Sequence, residues 1–168
     1  MAPMINVVLL APEIPQNTGN VIRLCANVGA RLHLVEPLGF RLDNKGLRRA
    51  SLDYRDIADV VCHASVESIF ESVHIERIYG AIINGPVRYD SPRYLIGDTI
   101  LFGPESSGLP DTVVDRLRPE NRVQIPMKPS NRSLNLSNAV SVIVYEMWRQ
   151  MGFTGMSSTN YREVSDTR

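Results

Sequence analysis

The sequence predicts an α/β fold: a single domain with a mostly parallel sheet flanked by helices. Short apolar, β-rich runs alternate with stretches whose apolar residues fall at helical spacing, which is the pattern of a parallel sheet with crossover helices. A length of 168 residues suits one domain, and a hydrophobic share of 43% is enough for a packed core. There is no internal repeat and no sign of a second domain. The expected division is a domain over residues 1–153 and a polar, aperiodic tail over 154–168, expected to be disordered.

The elements are read in order. Ile5 to Leu10 is a strand, followed by a loop with Pro12, Pro15 and Gly19. Val21, Leu24, Cys25 and Val28 form a helical stripe that Gly29 is placed to end. Leu32 to Val35 is a second strand, closed by Pro37 and Gly39, and Leu47 to Ala58 is a short helix. Val60-Val61-Cys62 suits a third strand, and Val66, Ile69, Phe70 and Val73 another helix. Ile78 to Ile83 and Thr99 to Phe102 are strands, stopped by Asn84-Gly85-Pro86 and Gly103-Pro104. Pro110 opens a helix carrying Val113, Val114 and Leu117. Val123 and Ile125 make a last short strand, and Leu136 to Met151 is the longest helix, with Val140, Val144, Met147 and Met151 on one stripe.

Several function classes are set aside. No apolar run approaches the roughly 20 residues of a membrane span. The start has neither a basic n-region nor a cleavage site, so a cytoplasmic protein is expected. Cys25 and Cys62 cannot form a disulfide framework and are expected as buried thiols. His33, His63 and His74 lack metal-ligand spacing, so no metal is expected. Lys and Arg balance Asp and Glu at 18 each, which argues against nucleic-acid binding by bulk charge. Local basic clusters remain at Arg41, Lys45, Arg48 and Arg49, at Arg88 and Arg93, and at Lys128 and Arg132; each suits a solvated surface more readily than a phosphate contact.

Three loops, each after a predicted strand, could carry chemistry, because ligands of open α/β sheets bind beyond the strands' carboxyl ends. The first is Asn17-Thr18-Gly19-Asn20-Val21-Ile22-Arg23. Asn17, Thr18 or Asn20 would cap a helix, leaving Arg23 in a first turn whose dipole disfavours a cation. The second, Phe102-Gly103-Pro104-Glu105-Ser106-Ser107-Gly108-Leu109, has the glycine spacing of a phosphate loop but lacks its Lys-Ser/Thr, so it is no P-loop. No G-x-G-x-x-G follows a strand either. The third is Ile125-Pro126-Met127 followed by Arg132-Ser133-Leu134-Asn135-Leu136-Ser137-Asn138, with more polar residues than one helix cap needs. Glu13 and Glu105 could converge in space, a matter the sequence leaves to the fold.

Together the segments Pro15 to Arg23, Phe102 to Leu109, and Ile125-Pro126-Met127 with Arg132 to Val140 resemble, in order and spacing, the three motifs of the SPOUT class of RNA methyltransferases. The resemblance runs from about Met4 to Phe153. The short chain and the segment Arg48-Arg49-Ala50-x-Leu52-Asp53-Tyr54 resemble its TrmL branch, which methylates the wobble 2′-hydroxyl of certain leucine tRNAs. The resemblance implies a C-terminal trefoil knot, a homodimer with the last helix in its interface, and a tRNA anticodon as substrate, with neither DNA nor membrane as partner. It implies S-adenosylmethionine as cofactor and S-adenosylhomocysteine as product. The cofactor positions would be Ala81, Gly103, Ile125, Met127, Ser133 and Leu134. Arg23 matches the catalytic arginine, with Asn17, Glu105, Ser133 and Asn135 as its polar support. Open alternatives are the same reaction on ribosomal RNA or another tRNA position, and an inactive RNA-binding homologue.

Overall fold

The structure is a computed structural model that describes residues 4–41, 59–72, 77–130 and 133–156. In chain order the elements are β1 (Ile5–Leu10), α1 (Pro15–Val28), β2 (Arg31–Val35), β3 (Val60–His63), α2 (Glu67–Ser72), β4 (Ile78–Ala81), β5 (Val87–Arg88), β6 (Asp98–Phe102), α3 (Asp111–Val114), a 3₁₀ turn (Pro119–Asn121), β7 (Arg122–Gln124) and α4 (Leu136–Gln150). Among the described residues the strands form one sheet in the order β3-β2-β1-β6-β4-β7-β5, every pairing parallel.

β1 is apolar nearly throughout because both of its faces are covered, as in a parallel sheet packed between helices. Val7 and Leu9 join a core with Val21, Ile22 and Cys25 of α1 and Val140, Ile143, Val144 and Met147 of α4. Val8 and Leu10 point to the other face, into a core with Ile69 of α2, Val113 of α3 and Leu117. Strand order reverses at β1, which pairs with β2 on one side and β6 on the other. A crevice beyond the carboxyl ends is expected at such a switch point. At the opposite ends the polar load is structural: buried Asp98 accepts the Leu95 N–H at 2.8 Å and the Arg77 guanidinium.

The predicted α/β class and parallel sheet hold, with differences at the edges. β4 stops at Ala81 rather than Ile83; its last bond to β7 runs from the Ile82 N–H to the Val123 carbonyl at 2.9 Å. β7 is Arg122–Gln124, so Ile125 lies just beyond it, and the two-residue β5 carries too little pattern to be foreseen. Met151 follows α4 as its cap. Cys25 is buried, and burial pushes its thiol up to about 12. Cys62, expected inside, is exposed, since β3 is the outermost strand on its side. The predicted helix over 47–58 and most of the tail lie outside the described residues. Among the described residues no helix is long and apolar enough to cross a membrane.

Candidate active site

α1 begins at Pro15, whose fixed φ suits the first helical position. This corrects the reading of the first loop. Asn17 and Thr18 lie inside the helix and are buried, and the N-cap residue, Ile14, offers no side-chain cap. Arg23 is the ninth helical residue rather than a first-turn residue, so the dipole penalty does not fall on it. The end of the helix is instead satisfied from outside. The Glu105 carboxylate accepts the N–H groups of Glu13 at 2.7 Å and Ile14 at 3.2 Å, an anion held where the helix dipole favours one.

The same carboxylate accepts the Asn17 side-chain amide at 3.0 Å. The Asn17 oxygen in turn accepts the Asn135 amide at 2.9 Å. Asn135 is the N-cap of α4, and its oxygen accepts the Ser137 N–H at 3.0 Å and the Ser137 hydroxyl at 2.7 Å. One polar chain, Glu105–Asn17–Asn135–Ser137, therefore ties together the three loops singled out in the sequence. Asn135 serves as the ordinary cap and as the link across to α1.

The second loop has its shape because it must contain glycine. A Cβ on Gly103 would lie 2.0 Å from the Gly108 carbonyl carbon and 2.2 Å from the Leu109 nitrogen, so the loop's two ends touch through backbone alone. The Gly108 N–H closes it onto the Pro104 carbonyl at 2.9 Å.

These loops wall a cavity of about 700 Å³. Of the residues singled out, Asn17, Ala81, Gly103, Glu105, Ile125, Met127, Ser133, Leu134 and Asn135 all line it. Arg23 does not; it is exposed on α1. Ser106 and Leu136, which belong to the second and third loops but have no role assigned from the sequence, also line the cavity, as does Ile14, which lies outside all three segments and which nothing local in the sequence marks. A smaller cavity of about 240 Å³, lined by Ile22, Cys25 and Leu32 among others, shares no lining residue with the large one.

The large cavity has the size and mixed lining of a small-molecule site. Its apolar walls, Ala81 and Ile125, sit beside rim residues Met127 and Leu134, which are 39% and 42% exposed and offer surface for a flat heterocycle. The Glu105 carboxylate and the Ser133 hydroxyl supply polar contacts. Among the described residues no group of His, Cys, Asp and Glu is placed to hold a metal ion.

The comparisons with known proteins fit this geometry. A tRNA (cytidine(34)-2′-O)-methyltransferase of Escherichia coli K12 is 49% identical over 152 residues, covering 90% of this chain and 97% of the relative. A protein of the same name from Burkholderia pseudomallei is 52% identical over 154 residues, covering 90% and 99%. A solved structure described as bearing on 2-OH methylation of C/U34 on tRNA superposes with a TM-score of 0.83 at 42% identity, covering 89% of this chain and 97% of that one. The SpoU rRNA Methylase family matches residues 4–145, the span that holds all three loops and most of α4, and this chain belongs to it.

Proposed function

We propose that this chain transfers a methyl group from S-adenosylmethionine to the ribose 2′-hydroxyl of the wobble nucleotide, position 34, of a tRNA, with leucine isoacceptors as its substrates. The observation that carries this reading is the Glu105–Asn17–Asn135 chain, which draws the three loops around one cavity, in a protein 49% identical to a tRNA (cytidine(34)-2′-O)-methyltransferase over nearly that protein's whole length. The bound cofactor would supply an already activated sulfonium methyl, so the protein's task is chiefly alignment. The backbone of the Gly103–Gly108 loop leaves room for close approach, Ala81, Ile125 and Leu134 give apolar walls, and Ser133 and Asn135 offer hydrogen bonds.

The Arg23 guanidinium offers donors and no acceptor, so it is not the base. Its role is to polarise the hydroxyl and stabilise the oxyanion that develops there, with the proton leaving to an RNA phosphate or water. It stands six residues beyond Asn17, about 9 Å along the helix axis. The ribose would therefore lie between the exposed side of α1 and the cavity mouth. The working form is a cytoplasmic homodimer: α4 exposes Val142 and Tyr145, 37% and 46% accessible, on a face a second copy would cover. The domain spans 1–153 with the knot that the resemblance implies. RNA is required because DNA lacks the reacting group. Arg93 and Lys128 are exposed, whereas Arg88 is paired with Asp90 and Arg41 also has a partner.

The experiment is transfer of labelled methyl to bulk tRNA that lacks this modification, with wild type beside Arg23→Ala and nuclease mapping of the product. Label in a 2′-O-methylated wobble nucleotide, lost in the variant, is the expected result. Cofactor binding with no label in tRNA would overturn the tRNA assignment, and label in ribosomal RNA would replace it.

A further inference from the structure

We propose that Glu13 is a positioning residue of this site: through Ser106 it holds the tip of the glycine loop, residues 105–107, in the form that accepts the cofactor. The inference rests on the reading of the 700 Å³ cavity as the S-adenosylmethionine site.

The loop is closed on itself only at its base, where Gly108 bonds Pro104 and Gly103 touches Gly108. The hydrogen bonds of its tip run across to the β1–α1 segment instead, and they run both ways. Glu105 accepts the N–H groups of Glu13 and Ile14, while the Glu13 carboxylate accepts the Ser106 N–H at 3.0 Å and the Ser106 hydroxyl at 2.7 Å. Each segment thus presents a carboxylate to the other's backbone. Among the described residues neither carboxylate has a cationic partner, so neutral donors alone hold them.

Glu105, Ser106 and Ser107 line the cavity, and Glu13 does not. Glu13 therefore acts on the site through Ser106 rather than by touching its contents. Its own backbone is held from behind. The Gly39 N–H donates to the Pro12 carbonyl at 2.9 Å, and a Cβ on Gly39 would stand 2.8 Å from the Glu13 Cα and 2.9 Å from its carbonyl oxygen. That close approach leaves the Glu13 main chain little freedom and aims its side chain at Ser106. Bonds to a charged acceptor are the stronger ones, so losing two of them frees the tip.

The test is a double-mutant cycle read by calorimetric binding of S-adenosylhomocysteine and S-adenosylmethionine to the full chain. Glu13→Ala is expected to weaken binding by about tenfold or more, Ser106→Ala by less because its backbone bond remains, and the double variant by no more than Glu13→Ala alone. Glu13→Gln, which offers the two Ser106 donors one neutral oxygen in place of two charged ones, should fall between wild type and Glu13→Ala. The KM for cofactor should rise while kcat at saturating cofactor and tRNA stays within about threefold, a split that general loosening of the fold would not give. Wild-type affinity in both Glu13→Ala and Glu13→Gln, or additive losses in the double variant, would overturn the role of Glu13. If the wild type itself binds neither compound, the cofactor reading of the cavity fails, and with it this inference.

Discussion

Two chains of polar side chains cross the same sheet, one on each half. At the carboxyl ends of β1 and β6, Glu105, Asn17, Asn135 and Ser137 link three loops around a cavity. On the β1–β2–β3 half, Asn6, His33, His63 and Ser68 are linked in the same manner: His33 Nε2 lies 3.3 Å from the Asn6 oxygen, His33 Nδ1 2.8 Å from His63 Nε2, and His63 Nδ1 2.8 Å from the Ser68 hydroxyl. By residue type the histidine chain looks the more reactive, yet neither histidine lines the large cavity. The difference teaches that clustered polar groups mark a site only where the backbone also leaves space. Here that space is made by a loop too tight for any side chain at Gly103.

The two chains also differ in how they are satisfied. The one at the cavity matches every amide and carboxylate named with a partner. The histidine chain ends in acceptors on both sides: the Asn6 amide nitrogen donates to the Gly97 carbonyl, leaving its oxygen to accept, and the Ser68 hydroxyl reaches the Ser65 carbonyl at 2.9 Å. Two neutral rings and one hydroxyl bring one proton too few for these links. The link left without a proton is then the longest, between His33 and Asn6. The rings stay neutral because burial, and after it the neighbouring His63 and Arg31, bring His33 down to about 4, while burial also lowers His63.

The comparison breaks most readily at Gly103. Gly103→Ala is expected to abolish cofactor binding, a loss of about a hundredfold or more by calorimetry, since its Cβ would meet backbone that cannot turn aside. Near-normal affinity in that variant would mean that the tight loop does not create the site. Asn135→Ala should come next. It removes an N-cap worth about 1 kcal/mol and also the link to Asn17, so methyl transfer should fall about tenfold or more while Tm drops only a few degrees.

On the other half, acid should act on stability and leave the chemistry alone. The unfolded chain takes up protons below the ordinary histidine value of 6.5 that folded His33 refuses. That contribution is therefore whole above about pH 7 and is lost as the pH falls from 6.5 toward 4, about 1–2 kcal/mol after solvent screening. In thermal melts at pH 7.5 and 5.0, His33→Gln should shrink the difference in Tm while leaving methyl transfer at pH 7.5 unchanged. A large loss of transfer in a well-folded His33→Gln would erase the distinction between the two halves. Ser68→Ala should give the smallest effect, under about 1 kcal/mol in denaturant melts and none on activity.

Much of this architecture could be read in the chain because it is written in local pattern. β1 announces burial on both faces by an apolar run interrupted only at Asn6, and the stripe Val140, Val144 and Met147 fixes which side of α4 meets the sheet. The loop residues could be named for the same reason, each lying just after a strand. The start of α1 could not, because its cap is Glu105, about ninety residues away in sequence, while the nearby Asn17 and Thr18 that mimic a cap lie buried inside the helix. In the sequence Glu13 reads only as an acid that could meet Glu105; its bond to Ser106 and the close approach of Gly39 to its backbone have no local signature. Arg23 was identified by type, but its place on the outer side of α1, away from the cavity wall, follows only once the helix is known to begin at Pro15.

That borrowed cap has a consequence for how the protein breathes. The N–H groups of Glu13 and Ile14 are protected by a residue of the glycine loop, not by their own helix. Whenever that loop lifts away, these two amides open to water, while amides deeper in α1 keep their helical partners. Their hydrogen-exchange rates should therefore report the opening of the loop directly, slowing when the cavity is filled and doing so ahead of any change in the rest of the helix.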